Sequence, residues 1–236
     1  MVQAVIFDMD GVLIDSEPYW AEAEQHVFRQ LGVKLDPAIT SQTSGMTTRA
    51  VTELWFKHSP WQGLSVEQAE QAVIDYVAEA VLKRGVVKKG VLELLQQLQS
   101  WQIPVALATN SPGSLMNTVL DKLQIRPYFQ ALCSIELVTQ GKPKPEIYHL
   151  AASKLGVASE HCLVFEDSVT GLTAAKAAGM KVVALPAPHH WHRAEYEQAE
   201  SRLACFSDIQ PEHFKVWGFE QMSLDSGWSA ERTAEM

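Results

Sequence analysis

Cysteine is scarce in this sequence. The three cysteines, Cys133, Cys162 and Cys205, are odd in number and widely spaced, which excludes a disulfide framework and fits buried thiols in a reducing compartment. Long apolar runs are also missing, and the first residues lack the basic region of a signal peptide. We therefore expect a cytoplasmic protein with no membrane partner.

Positive charge is in short supply as well. Lysine and arginine number 19 against 28 aspartates and glutamates, which gives a net charge of −9 at pH 7. Such a surface repels the phosphates of nucleic acids and of anionic membranes, so neither is expected as a partner. An anionic substrate would need a local positive patch. With 236 residues, 47% of them hydrophobic, the chain can bury one substantial core, and we expect a monomer.

Strand-like runs are absent between the first few residues and residue 104. Helical patterns take their place, and they cover residues 16–31, Thr47–His58 and Ser65–Lys83. The first helix is expected to begin with Ser16 as its N-cap. One crossover between parallel strands needs far fewer residues, so residues 16–85 are predicted to form a helical cap beside the sheet. The alternative is an ordinary helical connection.

Strands and helices alternate regularly after residue 89. The predicted order is helix Val91–Gln99, strand Pro104–Ala108, helix from Pro112, strand Ala131–Ser134, helix from Pro145, strand Cys162–Phe165, helix Val169–Ala178 and strand Lys181–Leu185. This alternation predicts an α/β protein with a doubly wound parallel sheet, built from residues 1–15 and 86–214. Residues 215–236 lack sustained periodicity and are expected to be loosely ordered, unless aromatic residues such as Trp217 and Trp228 dock them on the body.

The first strand ends in two acids. Ala4–Phe7 is a short apolar run typical of a buried parallel strand, and Asp8 and Asp10 follow it. Open α/β sheets bind ligands at the carboxyl ends of their strands. Two neighbouring acids repel each other there, so the site needs a cation or one protonated acid. With Mg²⁺ bound, Asp8 is suited to attack phosphorus and Asp10 to carry a proton to the leaving oxygen. The alternative is a surface turn rich in Asp and Gly.

Polar residues suited to a phosphate site follow the strand that ends at Ala108. Thr109, Asn110 and Ser111 stand there, just before Pro112. Ser followed by Pro predicts a helix start with Ser111 as N-cap, and free amides with a hydroxyl at a helix N-terminus bind phosphate. Simple capping is the alternative, but it does not explain Thr109.

A stiff basic loop, Gly141–Pro145, contains Lys142 and Lys144, each followed by a proline. Either lysine could neutralise a phosphate and offset the crowded acids, and spacing alone does not choose between them. A solvated basic loop is the alternative.

Two further acids, Glu166 and Asp167, follow the strand Cys162–Phe165. Carboxylate oxygens at a second strand end, opposite Asp8, are the ligands that Mg²⁺ takes in proteins. The alternative is that Asp167 or Ser168 merely caps the next helix.

Taken in order, these residues resemble the haloacid dehalogenase-type hydrolases. Asp8-Met9-Asp10-Gly11, Thr109, Lys142 and Glu166-Asp167 occur in that family's order and approximate spacing, and the similarity extends from residue 4 to about residue 186. The resemblance implies a Rossmann-like core, a Mg²⁺ cofactor and an aspartyl-phosphate intermediate. The implied roles are Asp8 as nucleophile, Asp10 as general acid/base, Thr109 as phosphate contact, Lys142 as positive clamp, and Asp8, Asp10 and Asp167 as metal site, with Glu166 adjacent or binding through water.

The helices inserted between the first and second motifs resemble the family's subgroup with a helical cap. The sequence Asp15–Trp20 resembles the corresponding segment of bacterial sugar-phosphate phosphatases, of the 2-deoxyglucose 6-phosphate or hexitol phosphate type. It also resembles that of β-phosphoglucomutases. Trp20 stands where those mutases carry a His, which favours water as the phosphoryl acceptor. Ser44–Arg49 resembles the substrate-specificity loop, in which Arg49 either faces the substrate or is an ordinary exposed Arg.

The resemblance and the residues together predict a Mg²⁺-dependent phosphomonoesterase for small phosphorylated metabolites, namely hexose, 2-deoxyhexose or hexitol phosphates. The alternatives are a phosphomutase, a phosphoglycolate phosphatase and a non-catalytic module that binds a phosphorylated metabolite. A module of that last kind would not need Asp10.

Overall fold

The computed structural model describes residues 1–43 and 45–219, and a parallel β-sheet lies at the centre of this part of the chain. The strands are β1 (Ala4–Phe7), β2 (Val105–Ala108), β3 (Ala131–Cys133), β4 (Cys162–Glu166), β5 (Lys181–Ala184) and β6 (Ser201–Arg202). Their order in the sheet is β3-β2-β1-β4-β5-β6, and every neighbouring pair is parallel. The predicted α/β class with a doubly wound parallel sheet is confirmed.

Helices connect these strands, and most of them begin within two residues of the predicted positions. They are α1 (Glu17–Gln30), α2 (Pro37–Thr40), α3 (Thr48–His58), α4 (Val66–Arg84), α5 (Val91–Ser100), α6 (Gly113–Leu123), α7 (Glu146–Leu155), α8 (Val169–Ala177) and α9 (Pro211–Trp217). Helix α4 packs against both α1 and α3. The limits of the helical cap, residues 16 and 85, stay a prediction. Within the described ranges, no helix combines the length and the apolarity needed to cross a membrane.

Strand β1 has a neighbour on each side. Val5 pairs with Val105 of β2 and with Leu163 of β4. All four residues of β1 are buried, which is why the run is apolar throughout. The ring of Phe7 stacks on that of Phe165 with 5.1 Å between centroids. This packing fixes the relative positions of the acids that follow β1 and β4.

The order of strands reverses between β1 and β4. The chain passes from β1 to β2 and β3 on one side of the sheet, and then crosses to β4, β5 and β6 on the other side. The loops after β1 and β4 therefore separate at the sheet's carboxyl edge, and such a crevice is where open α/β sheets bind ligands.

The sequence did not predict the two elements at the end of the described chain, β6 and α9. Strand β6 has only two residues and α9 only seven, too short for their periodicity to stand out. Trp217 and Phe219 are buried, and Trp217 packs edge-on against Phe165 of the sheet at 5.6 Å. Of the two alternatives for this segment, the structure therefore shows docking on the body, and not loose order, for residues 215–219. Residues 220–236, with Trp228, lie outside the described residues.

Candidate active site

An ion-pair cluster lies at the carboxyl edge of the sheet. The ammonium of Lys142 is 2.6 Å from the Oδ1 atom of Asp8 and 2.6 Å from the Oε1 atom of Glu166. All three residues are buried. Burial opposes the charge of Lys142, but the carboxylates of Asp8 and Glu166 outweigh it and raise the pKa of the ammonium. One cation thus holds two strand-end acids together.

Asn110 fixes the backbone of Lys142. The Lys142 amide donates to the Asn110 side-chain oxygen at 2.9 Å, and the Asn110 side-chain amide donates to the Lys142 carbonyl at 3.1 Å. Lys144, by contrast, is exposed. The structure therefore brings the first of the two lysines to the acids and leaves the second in solvent.

Every oxygen of Glu166 is engaged by protein donors. Oε1 accepts from Lys142 and, at 2.7 Å, from the hydroxyl of Tyr148, while Oε2 accepts from the amide and the hydroxyl of Ser168, both at 3.1 Å. A Cβ atom at position 171 would lie 1.6 Å from Oε1. Glycine is required at this position because the carboxylate occupies the space of any side chain.

Three carboxylates form a group with the chemistry of a metal site. Asp8, Glu166 and Asp167 each offer one oxygen, and these oxygens lie within 4.8 Å of one another. Burial raises the pKa of Asp8 to about 8, although Lys142 opposes the shift. Burial, and then the charges of Glu166 and Asp8, raise the pKa of Asp167 well above its usual range. The group has more negative charge than one lysine balances, and hard oxygen donors suit a cation such as Mg²⁺.

The carboxylate of Asp10 lies outside that group, and its place among the metal ligands stays a prediction. It accepts hydrogen bonds from the hydroxyl of Ser16 at 2.6 Å, the indole of Trp20 at 2.9 Å and the hydroxyl of Ser111 at 2.7 Å. Three donors from two segments therefore hold this acid beside the ion-pair cluster rather than within it.

Ser16 and Ser111 do not act as the predicted helix caps. Ser16 stands at the N-cap of α1 but makes no side-chain cap bond, and the N-cap of α6 is Pro112. Both hydroxyls donate to Asp10 instead, and a hydrogen bond to a charged acceptor is stronger than one between neutral groups.

Thr109 directly follows β2 and is buried. Its hydroxyl oxygen accepts from the amide of Ser111 at 3.0 Å, and its own amide donates to Cys133 at 3.0 Å. Its contact with a phosphate stays a prediction.

Arg49 does not reach the strand-end acids. Its guanidinium makes ion pairs with Glu53, Glu67 and Glu70 at 2.8, 2.5 and 3.2 Å, all within α3 and α4. In this structure the guanidinium of Arg49 is therefore paired with glutamates and is not free to face a substrate.

The loop before α3 rests on the core instead. The Asn110 side chain donates to the carbonyl of Gly45 at 3.0 Å, and a Cβ atom at Gly45 would lie 2.9 Å from the Ser168 hydroxyl. Ser44, which belongs to the same motif, lies outside the described residues.

A cleft of about 400 Å³ opens beside the site. Asp167, Gly11, Lys88 and Glu17 contribute to its lining, and the ammonium of Lys88 donates to the carbonyl of Gly11. Solvent and small ions can therefore approach the carboxylate group along this side.

With this geometry in place, comparison with known proteins identifies the family. The sequence profile of the haloacid dehalogenase-like hydrolases matches residues 2–179. The chain belongs to the haloacid dehalogenase-like hydrolase family. The resemblance predicted from the strand-end motifs is confirmed.

Relatives with named activities are phosphatases. Hexitol phosphatase B of Escherichia coli is 35% identical over 209 residues, which cover 88% of this chain and 94% of that protein. The phosphorylated carbohydrates phosphatase of Thermotoga maritima is 34% identical and covers 76% of this chain and 83% of its own. The predicted enzyme class, a hydrolase with phosphatase activity, is confirmed.

Solved structures agree on the fold. The β-phosphoglucomutase of Clostridium difficile has a TM-score of 0.78 with 21% identity, and the match covers 91% of this chain and 96% of that one. At this identity the likeness establishes the haloacid dehalogenase-like fold alone.

Sequence reasoning missed Tyr148 at this site. The residue lies in the first turn of α7, and its buried hydroxyl binds Glu166 at 2.7 Å. The only signal was its position four residues after Lys144, in the helix that the basic loop begins. A buried Tyr needs a partner for its hydroxyl, but the sequence does not say which acid supplies it.

Proposed function

We propose that the protein is a Mg²⁺-dependent phosphomonoesterase that hydrolyses small sugar or polyol phosphates through an aspartyl-phosphate intermediate. The main support for this proposal is that Asp8 and Asp10 are held by different partners. Asp8 is paired with Lys142 at 2.6 Å, while Asp10 is held apart by three neutral donors. One acid is thus suited to attack and the other to proton transfer.

In the first half-reaction, a carboxylate oxygen of Asp8 attacks the phosphorus of the monoester. The bond between phosphorus and the sugar oxygen breaks, and that oxygen takes a proton from Asp10. Lys142 opposes the protonation of Asp8 that burial favours, and it orients the carboxylate before the attack. Asp8 and Asp167 would hold Mg²⁺, and the bound cation would supply positive charge opposite the phosphoryl oxygens.

In the second half-reaction, Asp10 takes a proton from a water molecule as that water attacks the aspartyl phosphate. The bond between phosphorus and Asp8 breaks, inorganic phosphate forms, and both acids return to their starting states. The polar residues after β2, with Thr109 as phosphate contact, are suited to hold the phosphoryl oxygens.

The substrate class rests on the relatives. Their names give hexitol phosphates and phosphorylated carbohydrates as the substrates of those proteins. The same class is our proposal for this chain.

The test is hydrolysis of p-nitrophenyl phosphate and of a panel of sugar and polyol phosphates by purified Asp8→Asn. We expect no measurable turnover with an unchanged circular dichroism spectrum, because an amide is a very poor nucleophile. Asp75→Asn, at an exposed position of α4, is the control and should keep full activity. Near wild-type hydrolysis by Asp8→Asn would remove Asp8 from its role.

A phosphomutase is the second candidate, since the fold is shared with β-phosphoglucomutase. The contact between Trp20 and Asp10 argues against it, because an indole donates one hydrogen bond and cannot accept the ones a mutase His exchanges. Phosphorus NMR of the enzyme with β-glucose 1-phosphate and a bisphosphate primer separates the two. Isomerisation to glucose 6-phosphate that outpaces phosphate release would favour the mutase.

A further inference from the structure

One face of helix α1 extends from Asp10 towards the apolar centre of the helices around it. Trp20 and Glu24 lie four residues apart and so share one face of the helix. At one end of that face, the indole of Trp20 donates to Asp10 at 2.9 Å. At the other end, the ring of Phe28 packs against Trp55 and Trp61 at 6.2 and 5.8 Å. Glu24 therefore stands between the acid/base and an apolar cluster.

Glu24 is an acid without a partner in this position. Within residues 1–43 and 45–219, its half-buried carboxylate makes no hydrogen bond and no ion pair. Its neighbours on the same helix are paired, since Glu22 binds Arg84 at 2.5 Å and Glu17 approaches His189 at 3.3 Å. Burial raises the pKa of Glu24 to about 7. The carboxylate oxygens of Glu24 are not fully buried, so a hydroxyl group of a bound ligand can reach them and supply the missing hydrogen bond.

The place of Glu24 suits the leaving group of the reaction. If Asp8 attacks phosphorus and Asp10 protonates the leaving oxygen, the sugar or polyol extends away from Asp10. Glu24 lies one helical turn beyond the residue that contacts Asp10, about 5.4 Å along the axis. The carbon chain of a small polyol covers that distance.

We propose that Glu24 determines substrate specificity, with its carboxylate accepting hydrogen bonds from hydroxyl groups of the leaving sugar or polyol. This rests on the proposed phosphatase function. The same negative charge repels substrates with a second anionic group, such as phosphoglycolate or a sugar bisphosphate. Arg49, a candidate substrate contact from the sequence, is already paired with three glutamates.

The experiment compares the kcat/KM of wild type, Glu24→Gln and Glu24→Lys for three substrates. Sorbitol 6-phosphate offers hydroxyl groups, phosphoglycolate offers a second anion, and p-nitrophenyl phosphate offers neither. Glu22→Gln, on the same helix with its acid paired in solvent, is the matched control and should leave all ratios unchanged.

We expect Glu24→Gln to lower kcat/KM for sorbitol 6-phosphate about tenfold relative to p-nitrophenyl phosphate, the scale of one hydrogen bond to a charged group. Relative activity towards phosphoglycolate should rise in Glu24→Gln and rise further in Glu24→Lys. Activity towards p-nitrophenyl phosphate reports that each variant is folded and catalytically competent.

Equal losses on all three substrates, or unchanged ratios, would overturn the role of Glu24 while leaving the phosphatase function standing. The two failures are distinguishable, because a wild-type enzyme that releases no phosphate from any of the three substrates overturns the proposed function itself. A wild type that prefers phosphoglycolate to sorbitol 6-phosphate would refute the specificity argument alone.

Discussion

Lys142 and Asp8 form a buried ion pair, with 2.6 Å between Nζ and Oδ1 and only 3% and 9% of the two side chains exposed. Removing one partner of a buried ion pair destabilises the protein, because the other charge is left buried without compensation. Without the ammonium, the carboxylates of Asp8 and Glu166 would face each other with no charge to separate them.

Lys142→Met is therefore expected to lower the free energy of unfolding by about 3–5 kcal/mol, the usual cost of breaking a buried pair, and to abolish turnover. Urea unfolding and phosphate release measure the two effects. Lys144→Met, at an exposed position of the same loop, is the control. The double variant Lys142→Met/Glu166→Gln should recover part of the stability without activity. Equal stability of the single and double variants would show that the two acids do not repel each other.

Removal of metal is expected to stop phosphatase activity, and Mg²⁺ should restore it. The reason is the carboxylate group of Asp8, Glu166 and Asp167, whose oxygens lie within 4.8 Å of one another. Asp167→Asn should raise the Mg²⁺ concentration that gives half-maximal activity, because it removes one anionic oxygen from the group. Titration of the chelated enzyme with Mg²⁺ measures both. Full activity in excess chelator, or an unchanged midpoint in the variant, would contradict the metal site.

Gly45→Ala is expected to weaken the contact between the loop before α3 and the core. Gly45 has a φ of +74°, and its Cβ would lie 2.9 Å from the Ser168 hydroxyl. Gly63 also has a positive φ, +98°, but its Cβ would meet nothing within 4 Å. Gly63→Ala thus carries a similar backbone strain, about 1 kcal/mol, without the clash. A fall in kcat/KM for Gly45→Ala alone is expected, and equal falls would assign the effect to backbone strain.

Glu24→Gln is expected to make the protein more stable at pH 8. Burial raises the folded-state pKa of Glu24 to about 7 from an ordinary 4.5, so between these values the folded protein keeps a proton that the unfolded chain has released. Wild-type stability therefore falls as pH rises through this range, by at most about 3 kcal/mol. The advantage of the variant should be largest at pH 8 and vanish near pH 4.

Urea unfolding of wild type and Glu24→Gln from pH 4 to 8 measures this difference, in which the titration of the other acids cancels. Glu22→Gln is the control with the opposite sign, because the hydrogen bond from Arg84 lowers the pKa of Glu22. A stability difference that does not change with pH would show that Glu24 has a partner in the folded state.

The sequence predicted the sheet and the meeting of its strand-end acids for a general reason. Parallel strands end at one edge, so Asp8 and Glu166 had to lie near each other once the strands were recognised. The choice of Lys142 over Lys144 came from the family resemblance. What the sequence did not predict was the choice of partner. Ser16 and Ser111 have the local pattern of helix caps, yet both hydroxyls bind Asp10. The carboxylate of Asp10 is a strong charged acceptor, and it comes close to these two serines only in the folded structure.

The partners of Arg49 were also not predictable from the local sequence. A basic residue at the start of a helix was a reasonable candidate for a substrate contact, but the acids that neutralise it come from α3 itself and from the start of α4. Pairing between helices depends on how they pack, and a single sequence does not contain that information.

The central position of β1 in the sheet also affects when its strand pairing can form during synthesis on the ribosome. Val5 pairs with Val105 and Leu163, so the strand that precedes Asp8 is synthesised first but gains its neighbouring strands late. Helices α1, α3 and α4 emerge in between and can pack on one another before either neighbour exists. Asp8 therefore lacks its surroundings until synthesis has passed β4, and because pairing between strands distant in sequence is slow, we expect this step to be slow as well.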